Sequence, residues 1–153
     1  MSRLFRSRPA IIGLAVALLG LGALGFLPLF GGPGYESALA AGIVLPFAVA
    51  IATALEISSI PRAPGALAAS TRPVVSFERG LANGGVFALG AYALTLLHGL
   101  RVGFCDLILG SAHFALGPAL GALLAGAYGA LVGELARGRR RRRLFAVLLA
   151  IFL

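Results

Sequence analysis

Four residues that could bind a metal ion or haem iron lie close together in the second half of the sequence: His98, Cys105, Asp106 and His113. Imidazole, thiolate and carboxylate groups are common ligands of transition metals in proteins. The chain has no CxxC, HExxH or pair of histidines at helical spacing, which are the patterns that indicate a metal site. We therefore predict no metal or other cofactor. A metal or haem site at these residues stays as the weakest alternative.

Two polar residues, Glu56 and Asn83, lie within apolar runs. Ionisable groups inside a membrane segment are costly and are often functional, so Glu56 could belong to a proton or substrate pathway. It could also pair with Arg62 or Arg72 as a structural anchor, and this is the interpretation we favour. Asn83 can form hydrogen bonds between membrane helices, which indicates a role in helix packing.

The most specific pattern is a series of small residues spaced four apart. Its members are Gly117, Gly121, Ala125, Gly129 and Gly133. A second series, Ala122, Gly126 and Ala130, begins one residue after Gly121. Residues four apart share one face of a helix, and small ones let another helix backbone approach closely. We expect ordinary packing within one bundle rather than a sliding or dimerising surface.

The composition places these residues in a membrane protein. Of 153 residues, 59% are hydrophobic and 12% are charged, whereas a soluble domain has about 25% charged residues. Apolar runs long enough to cross a membrane recur along the chain. No nucleotide-binding loop, catalytic serine–histidine pattern or pair of carboxylates occurs in a polar segment. The sequence therefore predicts an all-α, polytopic membrane bundle in one domain, and not an enzyme.

We predict four spans, followed by a run that is too short to cross the membrane. The spans cover about residues 10–30, 37–60, 80–100 and 107–135, and the short run covers 144–153. The first run is longer than the apolar part of a signal peptide, so it is expected to stay uncleaved. Residues 61–79 are predicted to be a connecting loop, with or without a short interfacial helix.

The fourth run is longer than the hydrocarbon core of a bilayer. We expect it either to tilt or to have its first turns, near Gly110 and Ser111 and near Gly117 and Pro118, broken and interfacial. The final ten residues would cover only about half of the core as a helix. We therefore expect an incomplete fifth span and a longer protein, and the alternative is an interfacial helix below the arginines.

Arginine placement predicts the orientation. The net charge is +8, and all 13 basic residues are arginine. Twelve of them lie on one side of the membrane if the N-terminus is cytoplasmic, which agrees with the positive-inside rule. They include the block Arg137, Arg139, Arg140, Arg141, Arg142 and Arg143, a topology signal that could also face anionic lipid. Because the arginines flank apolar runs, we predict a multi-pass inner-membrane protein and no nucleic-acid partner.

Two segments resemble a known group of proteins. They are GGPGYESAL at 31–39 and CDLILGSAHFALGPALGALLAGAYGALVG at 105–133. Both are similar to the N-terminal membrane region of uncharacterised multi-spanning proteins of deltaproteobacteria, myxobacteria especially. The resemblance implies a longer polytopic membrane protein, and it assigns no role to any residue.

The function expected from these patterns is a non-catalytic helical scaffold or anchor in the lipid bilayer. Its partner helices would belong to the rest of a longer chain, to a second copy or to another subunit. The alternative is part of a transporter or permease, indicated by Pro46, by the glycine series and by Glu56 and His113.

The intact mass of the native protein extracted from its own membranes tests the expectation of a longer chain. We expect a mass well above the 15.5 kDa of these residues. A mass close to that value would contradict the expectation, and residues 144–153 would then be interpreted as an interfacial tail.

Overall fold

The computed structural model describes residues 7–60, 66–104, 106–137, 147 and 151, with the backbone alone for 66–72. Its elements are α1 (Arg8–Leu24), α2 (Tyr35–Ser59), α3 (Ala66–Val102), α4 (Leu107–Phe114), a π-helical turn (Ala115–Ala119) and α5 (Leu120–Ala136). The predicted all-helical class is confirmed, since the described residues contain no strand. The predicted short run 144–153 lies outside them, except for two isolated positions.

In the part of the chain that the structure describes, three helical segments are long and apolar enough to cross a membrane: Tyr35–Ser59, Pro73–Val102 and Leu107–Ala136. The first helix, α1, has 17 residues and would cover about 25 Å, somewhat less than a hydrocarbon core of about 30 Å. The sequence predicts a first span that continues to residue 30, but α1 ends at Leu24. The reason is the glycine- and proline-rich segment 25–34, which cannot continue a helix.

Successive long helices run in opposite directions, and α2 is the central one. Helices α1, α3 and α5 all pack against it. We call the end of the bundle that holds Arg8, Ser59 and Arg137 the lower end, and the end that holds Gly25, Tyr35 and Arg101 the upper end. Between the ends, buried side chains form the main core, in which Leu45, Val49, Phe87 and Phe114 are the largest. A second, smaller cluster consists of Ala54, Val132 and Ala136.

Helix α3 begins earlier than expected. The prediction of a loop at 61–79 is wrong for residues 66–79. Helix α3 starts at Ala66 and continues through Pro73 into the apolar run. Within this extension Ser76 is buried, whereas Val75 and Phe77 on either side of it are exposed. One face of the extension therefore packs against the bundle, which explains why the helix continues below the apolar run.

The fourth run is neither broken nor a regular helix at Gly117 and Pro118. The two helices α4 and α5 are joined by the π-helical turn, in which the N–H of Leu120 donates to the carbonyl of Ala115 five residues earlier. Proline has no N–H, and its ring would collide with the carbonyl four residues before it, so the wider turn accommodates Pro118. Pro118 is fully buried and packs beside Gly42 of α2.

Small residues bring the backbones of α3 and α5 into direct contact. Gly80 faces the carbonyl of Gly126, and a Cβ atom at Gly84 would lie 2.5 Å from the carbonyl oxygen of Ala122. Real Cβ atoms do not come this close to another backbone. The second small-residue series predicted from the sequence therefore lies on the face of α5 that packs against α3.

The first small-residue series faces α2 for most of its length. A Cβ atom at Gly129 would lie 2.6 Å from the carbonyl oxygen of Ala50, and one at Gly133 would lie 2.7 Å from Cβ of Ile57. Gly121 packs beside the Pro46 ring, and Ala125 is buried. Gly117 differs from the expectation, because a Cβ atom there would meet no atom within 4 Å.

Adjacent glycines on α3 provide a matched test of the close packing. We expect Gly84→Ala to lower the free energy of unfolding by about 1–3 kcal/mol, because neither the new Cβ nor the Ala122 carbonyl can rotate away. Gly85→Ala should be neutral or stabilising, since nothing lies within 4 Å of its Cβ position and alanine favours the helix. Thermal or denaturant unfolding in detergent micelles measures both variants, and equal effects would contradict the packing described here.

Candidate functional site

Six polar residues form a cluster at the lower end of the bundle, and we call it the lower polar cluster. Its members are Thr53 and Glu56 on α2, Ser76 and Asn83 on α3, and Glu134 and Arg137 at the end of α5. The sequence predicted Glu56, Asn83 and Arg137 as candidates. It gave no role to Thr53 or Ser76.

Asn83 joins α3 to α2. Its Nδ2 donates to Oε2 of Glu56 at 2.8 Å and to Oγ1 of Thr53 at 3.2 Å. Thr53 and Glu56 are three residues apart, so they share one face of α2 and both reach the same amide. Thr53 is completely buried and Asn83 is 7% exposed, whereas Glu56 is only partly buried. The amide therefore supplies a hydrogen bond from within the bundle to a carboxylate that also reaches the surface.

Arg137 joins α5 to α2. Its Nη2 donates to the carbonyl oxygen of Ile57 at 3.1 Å and lies 3.0 Å from Oε1 of Glu134. Ser76 of α3 donates a short hydrogen bond to the same carboxylate oxygen of Glu134. A guanidinium group beside the C-terminal turns of both α2 and α5 is also favourable for the helix dipoles.

The environment of Arg137 corrects one expectation. The sequence grouped it with the lipid-facing arginines, but the residue is only 5% exposed and its side chain points into the bundle. The other members of that block, Arg139, Arg140, Arg141, Arg142 and Arg143, lie outside the described residues. Arg137 is buried because α5 ends at Ala136 and the residue that follows turns back toward the end of α2.

The described partner of Glu56 is Asn83, whose Nδ2 donates to the carboxylate. The pairing of Glu56 with Arg62 or Arg72 stays a prediction, because Arg62 and the side chain of Arg72 lie outside the described residues. Asn83 and Ser76 are seven residues apart and share a face of α3, so the two parts of the cluster connect α2, α3 and α5.

A second group of polar contacts lies at the upper end, around Phe26. His98 packs edge-on against the Phe26 ring with 5.3 Å between centroids, and the Arg101 guanidinium lies 4.6 Å from the centre of the same ring. Nη2 of Arg101 also donates to the carbonyl of Gly25 at 2.9 Å. These contacts attach the turn after α1 to the end of α3, and they use a cation–π interaction.

The remaining metal-ligand candidates have separate surroundings. His113 packs against Tyr35 with 5.9 Å between ring centroids, and Oδ1 of Asp106 accepts from the N–H of Leu109, so it caps α4. Cys105 lies outside the described residues. Within the part of the chain that the structure describes, no three His, Cys, Asp or Glu residues come together as a possible metal site. The two histidines contact different aromatic rings.

Comparisons with protein-family models, with curated protein sequences and with solved structures found no match to this chain.

A double-mutant cycle between Asn83 and Glu56 tests whether the cluster stabilises the helix pairing. We expect Asn83→Leu to lower the free energy of unfolding by about 1 kcal/mol, because hydrogen bonds between membrane helices contribute about this much. Glu56→Leu should have a similar effect, and the double variant should lose less than the sum of the two losses. The measurement is denaturant unfolding in detergent micelles.

The control for this cycle is Ser58→Ala. The hydroxyl of Ser58 donates to the carbonyl of Leu55 in its own helix, so its loss should cost less than the loss of Asn83, which bonds to another helix. Strictly additive effects of Asn83→Leu and Glu56→Leu would show that the bond between them does not contribute to stability.

Proposed function

We propose that the protein is a non-catalytic helical scaffold or anchor of the bacterial inner membrane. It would have four spans, with the N-terminus in the cytoplasm, and would pack against helices of a second copy or of another subunit. The observation that supports this proposal most is the lower polar cluster. The carboxylates of Glu56 and Glu134 and the guanidinium of Arg137 all bond to a neighbouring helix, and they hold the bundle together.

The dense interior also supports a scaffold. A cavity between α1, α2 and α3, lined in part by Ser37, Thr95 and His98, has a volume of about 20 Å³, which is enough for one water molecule. Larger spaces of about 310 to 630 Å³ are grooves that open on the outer surface between neighbouring helices. Large apolar side chains that point outward, such as Leu19 and Ile108, suit contact with lipid or with partner helices.

The described arginines support the proposed orientation. Arg8 and Arg137 lie at the lower end, and Arg101 lies at the upper end. Together with the sequence positions of the remaining arginines, this favours a cytoplasmic lower end. Reporter fusions at residues 60–65 and 103–106 would test it, since the first site should report the cytoplasm and the second the periplasm.

A transporter is the second candidate, because Glu56 forms part of a largely buried polar group at one end of the bundle. We expect purified protein in liposomes to pass protons, Na⁺ and K⁺ no faster than protein-free vesicles do. Glu56→Gln should leave this leak unchanged, as should the control Glu78→Gln at an exposed position of α3. A flux above the protein-free level that Glu56→Gln removes and Glu78→Gln preserves would favour the transporter over the scaffold.

A further inference from the structure

A long groove runs between α1 and α2 in the lower half of the bundle. Its volume is about 630 Å³, and its walls are Ile12 and Val16 on α1 and Ile51 and Leu55 on α2. The floor consists of small residues, because the two helices meet where Gly13 faces Ala52. The groove begins at Arg8 and extends along α1 to Val16, which is about 12 Å of helix and close to the depth of one leaflet.

The chemistry of the groove changes along its length. The walls are apolar and open to the outside, with Ile12 61% exposed and Val16 65% exposed. At the lower mouth lie Arg8 and Ser59, and among the described residues that line the groove Arg8 is the one with a charge. An apolar groove with a guanidinium group at its membrane-surface end matches a molecule with a hydrocarbon chain and an anionic head. Arginine is well suited to such a head because its planar group binds phosphate oxygens in pairs.

We propose that this groove binds an anionic phospholipid, with its phosphate on Arg8 and one acyl chain between the walls of α1 and α2. The inference rests on the proposed membrane function. The cytoplasmic leaflet, where the lower end is placed, is the leaflet that attracts basic residues through its anionic lipids. Arg3 and Arg6 precede Arg8 in the sequence and add positive charge to the same segment.

A second copy of the chain fits the groove less well than a lipid does. Two copies inserted in the same direction and packed groove to groove would bring their Arg8 residues to the same depth, facing each other. The described lining of the groove contains no acidic residue to offset this repulsion. A flexible acyl chain brings no such charge and can follow the uneven walls.

The test is lipid binding by the purified protein, measured by native mass spectrometry with phosphatidylglycerol and with phosphatidylcholine. We expect Arg8→Gln to weaken phosphatidylglycerol binding about fivefold, the effect of one basic residue at a membrane surface. Phosphatidylcholine binding should not change. Arg79→Gln is the matched control, since Arg79 is also an exposed arginine of the lower half but does not line the groove.

A second pair of variants tests the acyl-chain part of the groove. Ala48 lines the groove, so Ala48→Leu should fill it and weaken phosphatidylglycerol binding with Arg8 still present. Ala93→Leu places the same side chain at an exposed position of α3 and should leave binding unchanged.

Three results would overturn the proposal. Equal losses for Arg8→Gln and Arg79→Gln would indicate attraction to charge in general, and no loss for Arg8→Gln would remove the headgroup site. A dimer in lipid-free detergent that Ala48→Leu breaks would make the groove an interface between copies. These outcomes are separate from the scaffold proposal, because the flux measurement with Glu56→Gln does not depend on lipid binding.

Discussion

The close approach of helix backbones is the contact on which the rest of this structure depends. In a bilayer the surrounding lipid is as apolar as leucine, so helices gain little from burying apolar surface against each other. Attraction must come from dense packing, which needs small residues at the contact. Gly80 and Gly84 of α3 and Gly126 of α5 provide it on one face, and Gly129 and Gly133 provide it toward α2 on another. Helix α5 therefore packs closely against two neighbours at once.

Such smooth surfaces fix the distance between helices but allow one helix to slide along another. The lower polar cluster supplies the directional bonds that oppose sliding. Asn83 reaches Glu56 only at one register of α3 on α2, and Arg137 reaches the carbonyl of Ile57 only where α5 ends beside α2. At the upper end, Arg101 binds the carbonyl of Gly25 and fixes the turn after α1. Close packing thus sets the distance between the helices, and the polar contacts set their register.

Helix α1 is held differently from the others, and the groove follows from this. Of its 17 residues, only Ala10 and Ala17 are buried. Its contact with α2 is close at Gly13 but is flanked by branched side chains that point outward. A helix that meets its neighbour along a narrow line of small residues leaves a groove beside that line. Arg8 gives this groove a positive charge at its lower mouth.

The sequence by itself determined the helical class, the apolar segments and the small-residue faces, because hydrophobicity and the spacing of side chains around a helix are local properties. It also indicated Glu56 and Asn83 as important, but not that they bond to each other. It did not show that Arg137 is buried, or that α3 extends below its apolar run as far as Ala66. These features depend on the rotation and register of each helix against its neighbours. Only the tertiary structure decided them, because each polar side chain bonds to a partner on another helix. The position of that helix depends on residues that are distant in the sequence.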